Sequence, residues 1–133
     1  MTTLESKQIT VQQKPEQVFN FLSDLNNIGN LMPQQVEEFI TDGESCSFTI
    51  KGMAKLSMEF ESKTPNSEVV LKSTGKVPFD FRLKALITDL GDQSVLQLML
   101  DAELNPFLKM MAVKPLTNFL NLLVDSYQAR NID

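Results

Sequence analysis

The run NPFLKMMAVKPLTNFLNLLVDSYQARN, Asn105–Asn131, decides the fold. It reads as one long amphipathic helix at the end of a chain made mostly of strands. Asn105 is a good N-cap, and Pro106 suits the first helical position, where its missing N–H would be unpaired anyway. Leu116, Phe119, Leu120, Leu123 and Tyr127 recur at three- and four-residue steps, which defines one helical face. Phe107, Met110 and Met111 are expected to continue an apolar face upstream. The two methionines read as core or as a soft wall over a cavity, since Met fills irregular space. Pro115 would clash with the carbonyl of Met111 and remove one hydrogen bond. Apolar spacing resumes at Leu116 with no Gly or turn cluster between, so a kinked but continuous helix is expected.

Upstream of this helix the dominant period is two. Ser45–Lys51 places Cys46, Phe48 and Ile50 on one face. Ala54–Lys63 places Leu56, Met58 and Phe60 on one side, with Ser57, Glu59 and Glu61 opposite. Glu68–Thr74 carries Val69 and Leu71 inward. Phe79–Thr88 sets Phe79, Phe81, Leu83, Ala85 and Ile87 against Asp80, Arg82 and Lys84. Ser94–Leu104 sets Leu96, Leu98, Leu100, Ala102 and Leu104 against Gln97, Asp101 and Glu103. Asp42-Gly43 is a hairpin signal, and Gly52 permits a tight reversal. Val36–Thr41 is a strand of ambiguous phase, because Val36, Glu38 and Ile40 alternate against Glu37 and Phe39. A first strand over Gln8–Gln12 precedes a helix opened by Lys14-Pro15-Glu16, with Val18, Phe21, Leu22 and Leu25 as its apolar stripe. Asp24-Leu25-Asn26-Asn27 ends that helix, and Ile28–Met32 makes a second helical turn closed by Pro33.

The sum is about seven strands joined by short turns, hence an antiparallel sheet with one wet and one buried face. The terminal helix is the only large element available to cover the buried face. The class is α+β, in one domain over residues 1–133.

The order strand, two short helices, six strands, long helix resembles the helix-grip fold of the START-related polyketide cyclase/dehydrase and lipid-transport (SRPBCC) superfamily. The residues carrying the resemblance are KPEQVFNFLSDLNNIGNLMP, Lys14–Pro33, and NPFLKMMAVKPLTNFLNLL, Asn105–Leu123. It implies a curved sheet wrapped around the long helix and a cavity between them, often for an apolar ligand. Many members carry a Trp after the second helix; here Leu31 or Met32 would take that space.

Composition bounds the function. Of 133 residues, 42% are hydrophobic and 22% charged, as in a globular protein. A net charge of −5 argues against a general nucleic-acid binder and against anionic membrane surfaces. The chain has no histidine and one cysteine, Cys46, so no internal disulfide, zinc site or His-dependent nucleophile is expected, and no cofactor is implied. No apolar run reaches the length of a membrane span, and the N-terminus lacks the apolar core of a signal peptide. A soluble, cytoplasmic protein is the expectation, with nothing to specify its oligomeric state.

The inward faces of the strands contain no charge, and Ser62 and Ser73 are the only polar intruders expected. Walls of this kind suit an apolar small-molecule ligand better than catalysis, which needs positioned polar groups. The expected ligand-binding residues are Phe48, Met58, Phe60, Leu71, Phe79, Phe81, Leu83, Leu98, Leu100, Met110, Met111 and Phe119. No catalytic residue is assigned. The alternatives are a non-catalytic interaction module with a packed core, or a cyclase- or hydrolase-like enzyme. The enzyme would require Asp24 or Glu38 to point inward.

Overall fold

The structure, a computed structural model, describes residues 1–130. In chain order the elements are β1 (Thr2–Glu5), β2 (Ile9–Val11), α1 (Pro15–Leu22), α2 (Leu25–Gly29), β3 (Val36–Thr41), β4 (Ser45–Ile50), β5 (Ala54–Thr64), β6 (Glu68–Ser73), β7 (Phe81–Asp89), β8 (Ser94–Ala102) and α3 (Pro106–Arg130). The strands form one antiparallel sheet in the order β1-β8-β7-β6-β5-β4-β3, with β2 also paired to β8. Strand bounds agree with the period-two reading to within about two residues. The end expected for the long helix, Asn131, lies outside the described residues.

The sheet has eight strands where seven were expected, because Thr2–Glu5 pairs with β8 ahead of β2. Four residues with one buried side chain, Leu4, carry too little alternation to announce a strand. Ser6 interrupts this edge without losing a hydrogen bond. Its backbone N–H donates to Leu98 O at 2.8 Å, and its hydroxyl oxygen accepts from Leu98 N at 2.9 Å. A side chain thus stands in for a ladder carbonyl.

Two register shifts settle the ambiguous phase of β3 and correct the expected inward position of Ser62 on β5. Between Glu37 and Ile40 the β3–β4 pairing slips, and Glu38 takes φ 57°. Phe39 then stacks near Phe48, with ring centroids 6.2 Å apart, while Ile40 is 67% exposed. Between Phe60 and Ser62 the β5–β6 pairing slips again, so Ser62 reaches solvent rather than the core. Ser73 is half-buried, and its hydroxyl accepts from Phe81 N at 3.1 Å.

Helix α3 runs unbroken through Pro115 and spans about 37 Å at ~1.5 Å per residue. The Asn105 side-chain oxygen accepts from Leu108 N at 2.8 Å, the expected N-cap. Its buried face is Ala112, Leu116, Phe119, Leu120, Leu123, Val124 and Tyr127. Phe107, Met110 and Met111 do not continue that face; they are 66%, 85% and 58% exposed. At ~100° per residue, Phe107 and Met111 fall on the opposite side of the helix from Leu116 and Leu120, and Met110 falls on its flank. Leu108 and Ala112 occupy the inward positions of the first turns. Among the described residues, no helix is long and apolar enough to cross a membrane.

Candidate functional site

The inner face of the sheet, α1, α2 and the C-terminal half of α3 enclose an apolar cavity. Its sheet side is built from Val69 and Leu71 on β6, Leu83 and Ala85 on β7, and Leu96 and Leu98 on β8. These are inward positions at a spacing of two, so alternation alone lines them up. Leu22 of α1, Ile28 of α2 and Leu31 just beyond it close one flank. Leu123, Val124 and Tyr127 of α3 form the roof. Every one of these residues is buried. The wall presents no polar surface, and the cavity volume is about 40 Å³.

The flank is positioned by local polar chemistry. Pro15 opens α1, and the Gln17 side-chain oxygen accepts from Lys14 N at 2.9 Å. The Asp24 carboxylate caps α2 by accepting from Asn26 N at 2.9 Å. It therefore starts the second helix rather than ending the first, which brings Leu25 and Ile28 into the core. Lys63 Nζ donates to Ser23 O at 2.9 Å and fastens the end of α1 to β5. Of Leu31 and Met32, the leucine is buried and lines the cavity, while the methionine is half-buried.

Three of the twelve ligand-binding residues expected from sequence, Leu71, Leu83 and Leu98, line this cavity. Phe48 and Phe119 stack on each other, centroids 5.8 Å apart, outside its wall. Met58, Phe79, Phe81 and Leu100 are buried in the same core but do not line it. Phe60 is half-buried, with Lys63 Nζ 4.1 Å from its ring centroid. Met110 and Met111 are on the outer surface of α3 and form no inner wall. The large aromatic side chains fill their own space, so the void sits where the inward side chains are smaller.

The cavity residues not among the expected ligand-binding residues are Leu22, Ile28, Leu31, Val69, Ala85, Leu96, Leu123, Val124 and Tyr127. Ala85 carried the usable signal, as a small residue in an inward row of leucine, isoleucine and phenylalanine.

The polar neighbourhood is spare. Tyr127 is the only titratable side chain on the wall; its hydroxyl donates to Gln13 Oε1 at 2.6 Å. Burial pushes its pKa up to about 12, so it stays neutral near pH 7. Burial likewise pushes the Cys46 thiol up to about 12, which makes it a poor nucleophile. Asp24 and Glu38 are both exposed at the surface, away from the cavity. Among the described residues, no cluster of three or more metal-ligating side chains occurs.

No family model matches the sequence, and no curated protein does. Solved structures do match in three dimensions. The protein XoxI from Bacillus cereus superposes with a TM-score of 0.78 at 11% identity, over 100% of this chain and 97% of that one. A START superfamily protein from Mycobacterium smegmatis gives 0.70 at 18% identity, over 97% and 96%. Norcoclaurine synthase from Thalictrum flavum, in complex with dopamine and hydroxybenzaldehyde, gives 0.73 at 14% identity, over 97% and 85%. With a single antiparallel sheet, two short helices after β2 and a long C-terminal helix, the chain has the START-like helix-grip fold.

Proposed function

We propose that the protein binds an apolar small molecule, of the lipid, isoprenoid or polyketide-like kind, in the cavity between the sheet and α3. The observation that carries this reading is a void walled by buried side chains that present no polar surface. An unfilled apolar space costs stability, because its lining lacks dispersion partners, and an apolar guest restores them. The fold accommodates small molecules elsewhere, as in the Thalictrum enzyme with its two bound compounds. A catalytic reading needs inward carboxylates such as Asp24 or Glu38, and both of these lie at the surface.

The small volume favours one other reading. In it the core is simply packed, the cavity is a packing defect, and the protein is a non-catalytic interaction module. One titration decides between them. An apolar fluorescent probe is added to the wild type and to Leu83→Trp, whose indole would occupy the cavity. On the binding reading the probe binds the wild type and loses affinity in the variant. Failure of any apolar probe to bind the wild type, with unchanged melting temperature, supports the packed module instead.

A further inference from the structure

We propose that the guest is a neutral compound without a charged headgroup, no larger than a single ring, and that Ala85 sets this limit. The inference rests on reading the cavity as a binding site, and it narrows that reading.

The size follows from the walls. Ala85 is the only cavity-lining residue smaller than valine. It holds an inward position on β7 between Leu83 and Ile87, opposite Val69 on β6 and Leu98 on β8. Alanine in such a row omits the branched end that its neighbours carry, and it shares the cavity wall with the roof residues Leu123, Val124 and Tyr127. Ala102, on β8, provides the contrast. It is also inward and fully buried, yet it does not line the cavity. There the neighbours have closed over the small side chain. A dry apolar cavity of ~150 Å³ accepts benzene. The room here, about 40 Å³, is smaller still. A single ring can enter only with side-chain rotation at the wall. A long acyl chain would have to part α3 from the sheet along several turns.

The charge limit follows from the same wall. It contains no Lys, Arg, Asp or Glu, and its one hydroxyl, on Tyr127, already donates to Gln13. A carboxylate or ammonium group placed there would be desolvated and unpaired, which strongly disfavours binding.

The experiment uses the full chain with benzene and dodecanoate as probes, read by melting temperature and by NMR titration. The wild type is compared with Ala85→Val and with Ala102→Val, the same change at a buried alanine away from the cavity. Benzene is expected to raise the wild-type melting temperature and shift resonances of cavity residues, while dodecanoate does neither. Ala85→Val should weaken benzene binding by about tenfold or more, as a misplaced methyl group in a tight pocket does. Its melting temperature should hold or rise, whereas Ala102→Val should melt lower and keep the wild-type benzene affinity. Tighter binding of dodecanoate than of benzene would overturn the size and charge limit and leave the binding reading standing. Unchanged benzene affinity in Ala85→Val would remove Ala85 from its role. No binding of either probe to the wild type would overturn the binding reading itself.

Discussion

The Tyr127 hydroxyl on α3 donates a 2.6 Å hydrogen bond to Gln13 Oε1, in the connector between β2 and α1. The backbone carbonyl of the same Gln13 accepts from the buried Ser94 hydroxyl at 2.8 Å. Phe21 of α1 meets the Tyr127 ring edge-on, with centroids 5.3 Å apart. One glutamine therefore ties the roof of the cavity to the start of β8, and the ring contact of Tyr127 with Phe21 joins the first helix to them. Replacing Tyr127 by Phe keeps the ring packing and deletes the bond. The expected cost is about 1 kcal/mol, measured by urea unfolding; an unchanged midpoint would show that the bond contributes nothing net.

Alkaline pH should expose the same residue. Burial raises the folded-state pKa of Tyr127 from about 10 to about 12 and that of Cys46 from about 9 to about 12. A raised folded pKa means stability that is complete below the unfolded pKa and lost as pH rises through the folded one. Stability should decline from about pH 9 and fall steeply towards pH 12. Tyr127 is the single tyrosine of the chain, so tyrosinate absorbance reports it cleanly. A native-state titration midpoint at the ordinary tyrosine value would contradict its burial.

Ser6 should matter more than an edge-strand serine usually does. Its hydroxyl accepts from Leu98 N and donates to Lys7 O at 2.8 Å. Ser6→Ala strands the buried Leu98 N–H, at an expected cost of about 1–3 kcal/mol. Hydrogen exchange at Leu98 should accelerate in the variant; continued protection would mean that the ladder closes without the hydroxyl.

The outward face of α3 should tolerate charge. With Met110 and Met111 both exposed, Met110→Lys and Met111→Lys should each change stability by no more than about 0.5 kcal/mol. Leu120→Ala, on the buried face, should cost about 2–5 kcal/mol. Comparable losses at all three positions would restore the inward reading of the methionines.

Gly52 isolates backbone strain from packing. It adopts φ 77°, and a Cβ added there would meet no atom within 4 Å. Gly52→Val should therefore destabilise by about 1–2 kcal/mol through conformation alone. Thermal unfolding checks it, and an unchanged melting temperature would place the reversal elsewhere.

Much of the fold was legible because alternation is a local signal. Leu96, Leu98 and Leu100 are inward on β8 whatever they touch, and Asn105-Pro106 starts α3 through its own backbone chemistry. Asn105 does cap the helix, and Pro115 does not end it. The outward position of Met111 was also countable in the sequence at ~100° per residue, once the phase is taken from Leu116 and Leu120, whereas the same count leaves Met110 on the flank. The bulge at Glu38 was not countable, since it depends on how β3 pairs with β4.

What the amino-acid order determined by itself is therefore the set of elements, their sequence along the chain, and the apolar inner face of most strands. These depend on neighbours two to four residues apart. Only the tertiary structure decided where that face is left unfilled. A cavity is the remainder after side chains from six elements meet, and no local pattern encodes that remainder. Phe48 and Phe119 stack outside the cavity, while Ala85 lines it together with Leu123 and Val124. The difference lies in residues far apart in the chain, brought together by the packing of α1, α2 and α3 on the sheet.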